Sequence, residues 1–184
     1  MFRIVTLLLL HWTRGEYGLS SFNFIRSSGL PLSRVRCVAM SPLVPELDDR
    51  LHALGVEILH TTPCLSLLVP EQYHADLLLR HCGGEKVLLE QGQSHLFKAL
   101  RHLGGQPVEI RGALETNYPG NIALNVCICG NVLFGRLDAL ASELIHWAHS
   151  QGMILKNVRQ GYAGCATALV SDRALITSDR GIAK

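Results

Sequence analysis

The chain has 184 residues, a formal net charge of +2, 48% apolar residues and 17% charged residues. That length allows one domain with a real core, and that composition excludes global disorder. The small charge, with no Lys/Arg run to face phosphates, excludes nucleic acid as the expected partner.

The N-terminus opens with an apolar run at 4–10, far too short to span a bilayer, so no membrane partner is expected. His11, Trp12, Arg14 and Glu16 follow, with no clear small-x-small cleavage site, which disfavours a secretory signal. Residues 1–33, rich in Ser and Gly from 15 onward, are read as a poorly structured extension before a domain at 34–184. The six cysteines are scattered, several inside apolar runs, and do not form the framework of a disulfide-stapled protein. A reducing, cytoplasmic compartment is the expected location.

Three stretches repeat one order. Residues 46–54 place Leu47, Leu51 and Leu54 on one helical face, with Pro45 at the start and Gly55 at the end, between short apolar strands at 35–39 and 56–59. Residues 94–103 form a second amphipathic helix, closed by Gly104-Gly105 before a strand at 107–110. Residues 137–151 predict a third, closed by Gly152 before a strand at 153–158.

Paired apolar runs separated by tight turns also recur. They lie at 75–80 and 86–89 around Gly83-Gly84, at 122–129 and 132–134 around Gly130-Asn131, and at 166–170 and 174–177 around Ser171-Asp172. Copies are spaced by roughly 43 to 47 residues, the range of repeat architectures. The unit is hairpin, helix, strand. This ββαβ order predicts an α/β fold of repeated modules, an α/β propeller, rather than a doubly wound sheet.

Three segments carry a family resemblance. They are Tyr73-His74-Ala75-Asp76; Thr116-Asn117-Tyr118-Pro119 with Asn125; and Asn157-Val158-Arg159-Gln160-Gly161-Tyr162, leading through Cys165 to Ile176-Thr177-Ser178-Asp179-Arg180-Gly181. They resemble an uncharacterised bacterial family of the guanidino-group-modifying-enzyme, or pentein, fold. Where that family has His-Pro-Asp, this chain has His74-Ala75-Asp76. A complete pentein has five modules, so the resemblance implies an incomplete, truncated member ending at Lys184. It also implies that the nucleophile of the last module is either Cys165 or a residue outside the chain.

Repeat symmetry predicts that the loops before the hairpins meet at one end, gathering His74, Asp76, Glu115, Asn117, Asn121, Gln160, Tyr162 and Cys165 into a small-molecule site. Attack on a guanidinium carbon needs a thiolate, a proton shuttle and carboxylates to hold the cation, and Cys165, His74 and Asp76 with Glu115 are of those types. Glu115, Asn117, Asn121, Gln160 and Tyr162 are the expected substrate-binding set.

Blander roles stand beside these. Cys165 suits a small buried position at a strand start, His74 and Asp76 suit local turn bonding, and Asn117 to Asn121 is strong turn chemistry. Asn125, inside an apolar run, must find partners if buried. Metal is not expected: Cys127 and Cys129 have no second ligand pair at zinc spacing, and His146 and His149 fall on the solvent side of their helix. The absence of Walker, G-x-G-x-x-G and G-x-S-x-G motifs leaves no cofactor expected. Two readings remain open: a hydrolase or transferase acting on an amidine or guanidino group, and a non-catalytic member that binds a small ligand or a protein partner through the same loops.

Overall fold

The structure is a computed structural model that describes residues 5–6, 10–14, 20–31 and 33–183. Most of the apolar run at 4–10 and part of the Ser/Gly-rich stretch lie outside the described residues. The described elements run β1 (Val5–Thr6), β2 (Leu10–Arg14), β3 (Ser20–Phe24), β4 (Cys37–Met40), α1 (Pro45–Ala53), β5 (Glu57–His60), α2 (Ala75–Leu78), β6 (Leu79–Gly83), β7 (Lys86–Leu89), α3 (Ser94–His102) and β8 (Gln106–Glu109). There follow β9 (Cys127–Cys129), β10 (Val132–Gly135), a 3-10 turn (Leu137–Ala139), α4 (Ser142–Ser150), β11 (Ile154–Asn157), β12 (Thr167–Leu169) and β13 (Leu175–Thr177). The fold is mixed α/β, built from small sheets and short helices.

Two units share one topology. β6 and β7 form an antiparallel hairpin, α3 crosses over, and β8 pairs parallel to β7. β9, β10, α4 and β11 repeat that order. The first unit has the same sheet order, with β1 antiparallel and β5 parallel to β4. β12 and β13 form a last antiparallel hairpin. The helix–strand–strand periodicity in the sequence thus corresponds to a repeated ββαβ unit.

The helices form where apolar side chains recur at helical spacing and a glycine ends the run. In α3, Leu96 and Leu100 are buried against Val87 and Leu89, joining Cys37, Ala39 and Leu79 in a core between the first two units. In α4, Leu144 and Ala148 pack with Ile128 and Leu133, in a larger core that extends to Leu77, Leu88 and Leu124. Leu47 and Leu51 of α1 cover Val38 and Met40, while Leu54 at its C-terminus is exposed. His146 and His149 face solvent.

Three details depart from the sequence expectation. The expected strand at 75–80 begins as a helical turn: Leu77 and Leu78 N–H both donate to the His74 carbonyl, and β6 starts only at Leu79. The turn buries Leu77 and Leu78 together, which an alternating strand facing one core cannot do. The expected helix at 137–151 is divided, because Leu140 and Ala141 are extended and Ala141 N–H donates to the Ala123 carbonyl at 3.0 Å. Finally, part of 1–33 is built into the fold. β1 extends the first sheet, Phe24 and Ile25 are buried, Gly84 N–H donates to the Ile25 carbonyl, and Ser28 Oγ–H donates to the His81 carbonyl at 2.5 Å.

Candidate functional site

A short turn precedes each hairpin, and each turn delivers a polar side chain to the same place. Asp76 lies in α2, just before β6. Asn125, whose N–H donates to the Ile122 carbonyl, lies just before β9. Cys165, whose N–H donates to the Tyr162 carbonyl, lies just before β12. The Cys165 thiol donates to Asp76 Oδ2 at 2.5 Å, and Asn125 Nδ2 donates to that same oxygen at 2.9 Å. Asn125 Nδ2 also lies 3.3 Å from Cys165 Sγ, and its Oδ1 accepts from Gly164 N–H at 2.8 Å. This is the inner layer.

Burial makes the layer's electrostatics strong. Asn125 is fully buried, Asp76 is nearly so and Cys165 is half-buried. The Cys165 thiol is pushed up to about 12, first by burial, then by the Asp76 charge and the hydrogen bond to it. At neutral pH it is therefore a protonated donor, not a thiolate. Arg80 lies alongside: its Nε donates to the Leu124 carbonyl at 3.1 Å. Burial pulls its pKa down, while Asp76 and nearby cysteines oppose that. Gly164 is the residue that lets these groups meet. A Cβ there would sit 2.8 Å from the Val126 carbonyl oxygen, 2.9 Å from an Arg80 nitrogen and 3.0 Å from Asn125 Oδ1.

An outer layer is drawn from the same three turns. Asn121 Nδ2 donates to Glu71 Oε2 at 3.1 Å and to the Tyr162 hydroxyl oxygen at 2.7 Å. The Tyr162 hydroxyl donates to Glu71 Oε1 at 3.4 Å. Burial raises the Tyr162 pKa, with Glu71 adding to the effect and the Asn121 bond opposing it. The Tyr118 ring stacks on Tyr162 with centroids 6.0 Å apart, and the Arg136 guanidinium lies 5.1 Å above the Tyr118 ring. Gly161 makes room for this stack, since a Cβ there would lie 2.4 Å from the Tyr118 ring.

Asp76 and Cys165 thus join the inner layer, and Asn121 and Tyr162 the outer. Gln160 supports the latter: its Oε1 accepts from Tyr162 N–H at 3.0 Å, and its Nε2 reaches Asp179 Oδ2 at 3.5 Å. His74 is half-buried at the start of α2, two residues from Asp76, with its carbonyl receiving the first turn's N–H groups. Glu115 and Asn117 are exposed in a loop closed by backbone bonds through Gly120, and no described side-chain hydrogen bond ties them to either layer. Glu71 and Arg80 were missed in the sequence. Glu71 carries no motif, and Arg80 stands at the end of the apolar run 75–80 with no local pattern to mark it.

Two cavities lie elsewhere. One of about 200 Å³ is bordered by Arg26, Cys82, Trp147 and Asp172. Another of about 740 Å³ lies between the β9–β10 hairpin and β13, bordered by Phe134, Leu175 and Ile176. Neither is lined by a residue of the two layers.

A family model, the family of unknown function DUF6873, matches residues 41–184. The chain belongs to DUF6873. The matched span contains every residue of both layers. No curated protein and no solved structure matches this DUF6873 chain. Among its described residues no helix is long and apolar enough to cross a membrane.

Proposed function

We propose that this DUF6873 chain is a pentein-type protein: its ββαβ units form part of an α/β propeller whose axial site receives an amidinium or guanidinium compound. The observation that carries the reading is that three successive units each place one polar residue, Asp76, Asn125 and Cys165, on a common hydrogen-bonded centre. A planar cation meeting Asp76 adds to the positive charge that Arg80 already brings near the carboxylate. It also weakens the Asp76 charge that, after burial, holds the Cys165 thiol protonated.

In the catalytic form of the reading, the activated Cys165 sulfur attacks the amidine carbon. An S–C bond forms, a C–N bond breaks, and the amine leaves with a proton. Water then hydrolyses the bound intermediate to a urea-type product and restores the thiol. His74, beside Asp76 in sequence, is the proposed proton shuttle, with Asn121, Gln160, Tyr162, Glu115 and Asn117 toward the substrate's remainder. A second reading, binding without turnover, is favoured by the thiol's high pKa.

Calorimetric titration with arginine, agmatine and methylated arginines, with ammonia and urea-type products followed in parallel, tests both. Turnover that is lost in Cys165→Ala supports the enzyme. Saturable binding without product supports the second reading. No binding of any of these compounds to the folded protein overturns the proposal.

A further inference from the structure

The outer layer holds a carboxylate that no described residue neutralises. Glu71 is half-buried, and its two oxygens accept from an amide and a hydroxyl, both neutral. No Lys, Arg or His among the described residues forms an ion pair with it.

A second observation is independent of that charge. Asn121 is 2% exposed, yet its Oδ1 is buried without a hydrogen-bond partner. Turning the amide over does not relieve this. The flip would set Oδ1 against Glu71 Oε2, acceptor against acceptor, at the 3.1 Å now spanned by a hydrogen bond. Glu71 therefore fixes the amide, and the orphan is an acceptor waiting for a donor. The Tyr162 hydroxyl meets the same amide, and because the Tyr118 ring stacked on Tyr162 already carries the Arg136 guanidinium, recognition of a further cation rests on Glu71 and Asn121.

We propose that Glu71 and Asn121, held together by the Tyr162 hydroxyl, form a subsite for a primary ammonium group, distinct from the Asp76–Asn125–Cys165 centre and standing whether or not that centre takes an amidinium. One ammonium N–H serves Asn121 Oδ1, another serves Glu71, and the charge matches the carboxylate. A planar guanidinium fork suits the subsite less, because each Glu71 oxygen already accepts from a different residue. A compact head with three rotatable donors suits it better. Such a head needs about the volume of a water, roughly 30 Å³, so it does not require a wide cavity.

The test titrates the whole chain, at low salt, with n-butylammonium, tetramethylammonium and methylguanidinium chlorides, in wild type and Glu71→Gln. Butylammonium binds wild type, at least tenfold more weakly in Glu71→Gln, and at least tenfold more tightly than tetramethylammonium, which carries charge without N–H donors. Equal binding of the two ammonium probes to wild type overturns the subsite even if Glu71→Gln fails to fold. So does no binding of butylammonium, which would assign Asn121 Oδ1 to a water. Methylguanidinium reports separately. Its binding without butylammonium leaves the proposed function standing and removes the subsite, and the reverse pattern removes the proposed function and supports the subsite.

Discussion

Asn125→Leu tests whether the inner layer holds the three turns together. The substitution keeps much of the side chain's volume but removes a donor and an acceptor at a fully buried position. Asp76 Oδ2 loses the amide donor now at 2.9 Å, and Gly164 N–H loses the acceptor now at 2.8 Å. Leaving the buried Gly164 N–H unmatched costs about 1–3 kcal/mol, and Asp76 Oδ2, which keeps the Cys165 thiol, loses a bond to a charged group worth about 1.5–3 kcal/mol. The sum, about 3–5 kcal/mol, is a large part of the stability of about 5–15 kcal/mol usual for a domain. At about 2–4 °C per kcal/mol for a chain of this size, the midpoint falls by roughly 6–20 °C. Urea and thermal denaturation measure it, with Asn125→Asp as a companion that keeps the acceptor for Gly164 while placing a second carboxyl against Asp76. The deficit of that variant relative to wild type is expected to be larger at pH 7 than at pH 4, because repulsion between two carboxylates disappears when one is protonated. A loss below about 1 kcal/mol in Asn125→Leu would refute the argument, since it would mean that these bonds are exchanged freely with water.

Cys165 is expected to alkylate slowly at pH 8, and faster in Asp76→Asn, which removes the charge that assists burial in keeping the thiol protonated; iodoacetamide labelling followed by mass spectrometry reads both rates, and equal rates would contradict the 2.5 Å contact. The thiol's folded pKa of about 12 lies above its ordinary value of 9.0, so its contribution to stability is complete below pH 9 and is lost as the pH rises toward 12. Urea midpoints measured between pH 8 and 11 should fall less in Cys165→Ala than in wild type. His81 has the opposite sign. It is 1% exposed, and burial lowers its pKa from 6.5 to about 4, so it is held neutral while the unfolded chain takes up a proton. Stability is therefore present above pH 6.5 and is lost as the pH falls toward 4, by an amount on the order of 3 kcal/mol. His81→Gln should flatten that acid limb, and an unchanged slope would show that His81 is not held neutral.

Local pattern carried much of the architecture. Leu96 and Leu100, or Leu144 and Ala148, recur at helical spacing, and Gly104 and Gly152 end their helices, so the repeated helix–strand order was legible before any coordinate. The hairpins were legible for the same reason: turn residues between apolar runs act within a few residues. The division at Leu140–Ala141 was not, because its cause is a bond to Ala123, remote in sequence. Nor was the helical turn at α2, where two adjacent leucines enter the core together.

The site divides in the same way. Asp76, Asn121, Tyr162 and Cys165 could be singled out because polar residues stood at like places in a repeat. Their partners could not. Cys165 is hydrogen-bonded to a residue 89 positions away and Tyr162 to one 91 positions away, and such contacts depend on how the units pack rather than on neighbours along the chain. Glu71 and Arg80 have no local signature at all. Their importance comes from burial beside other polar groups, which raises the cost of an unmatched charge or acceptor, and burial is a property of the assembled units. The amino-acid order thus determined the elements and the kinds of chemistry available. Tertiary packing decided that Cys165 is a protonated donor to Asp76 and that Asn121 is left with an acceptor unfilled.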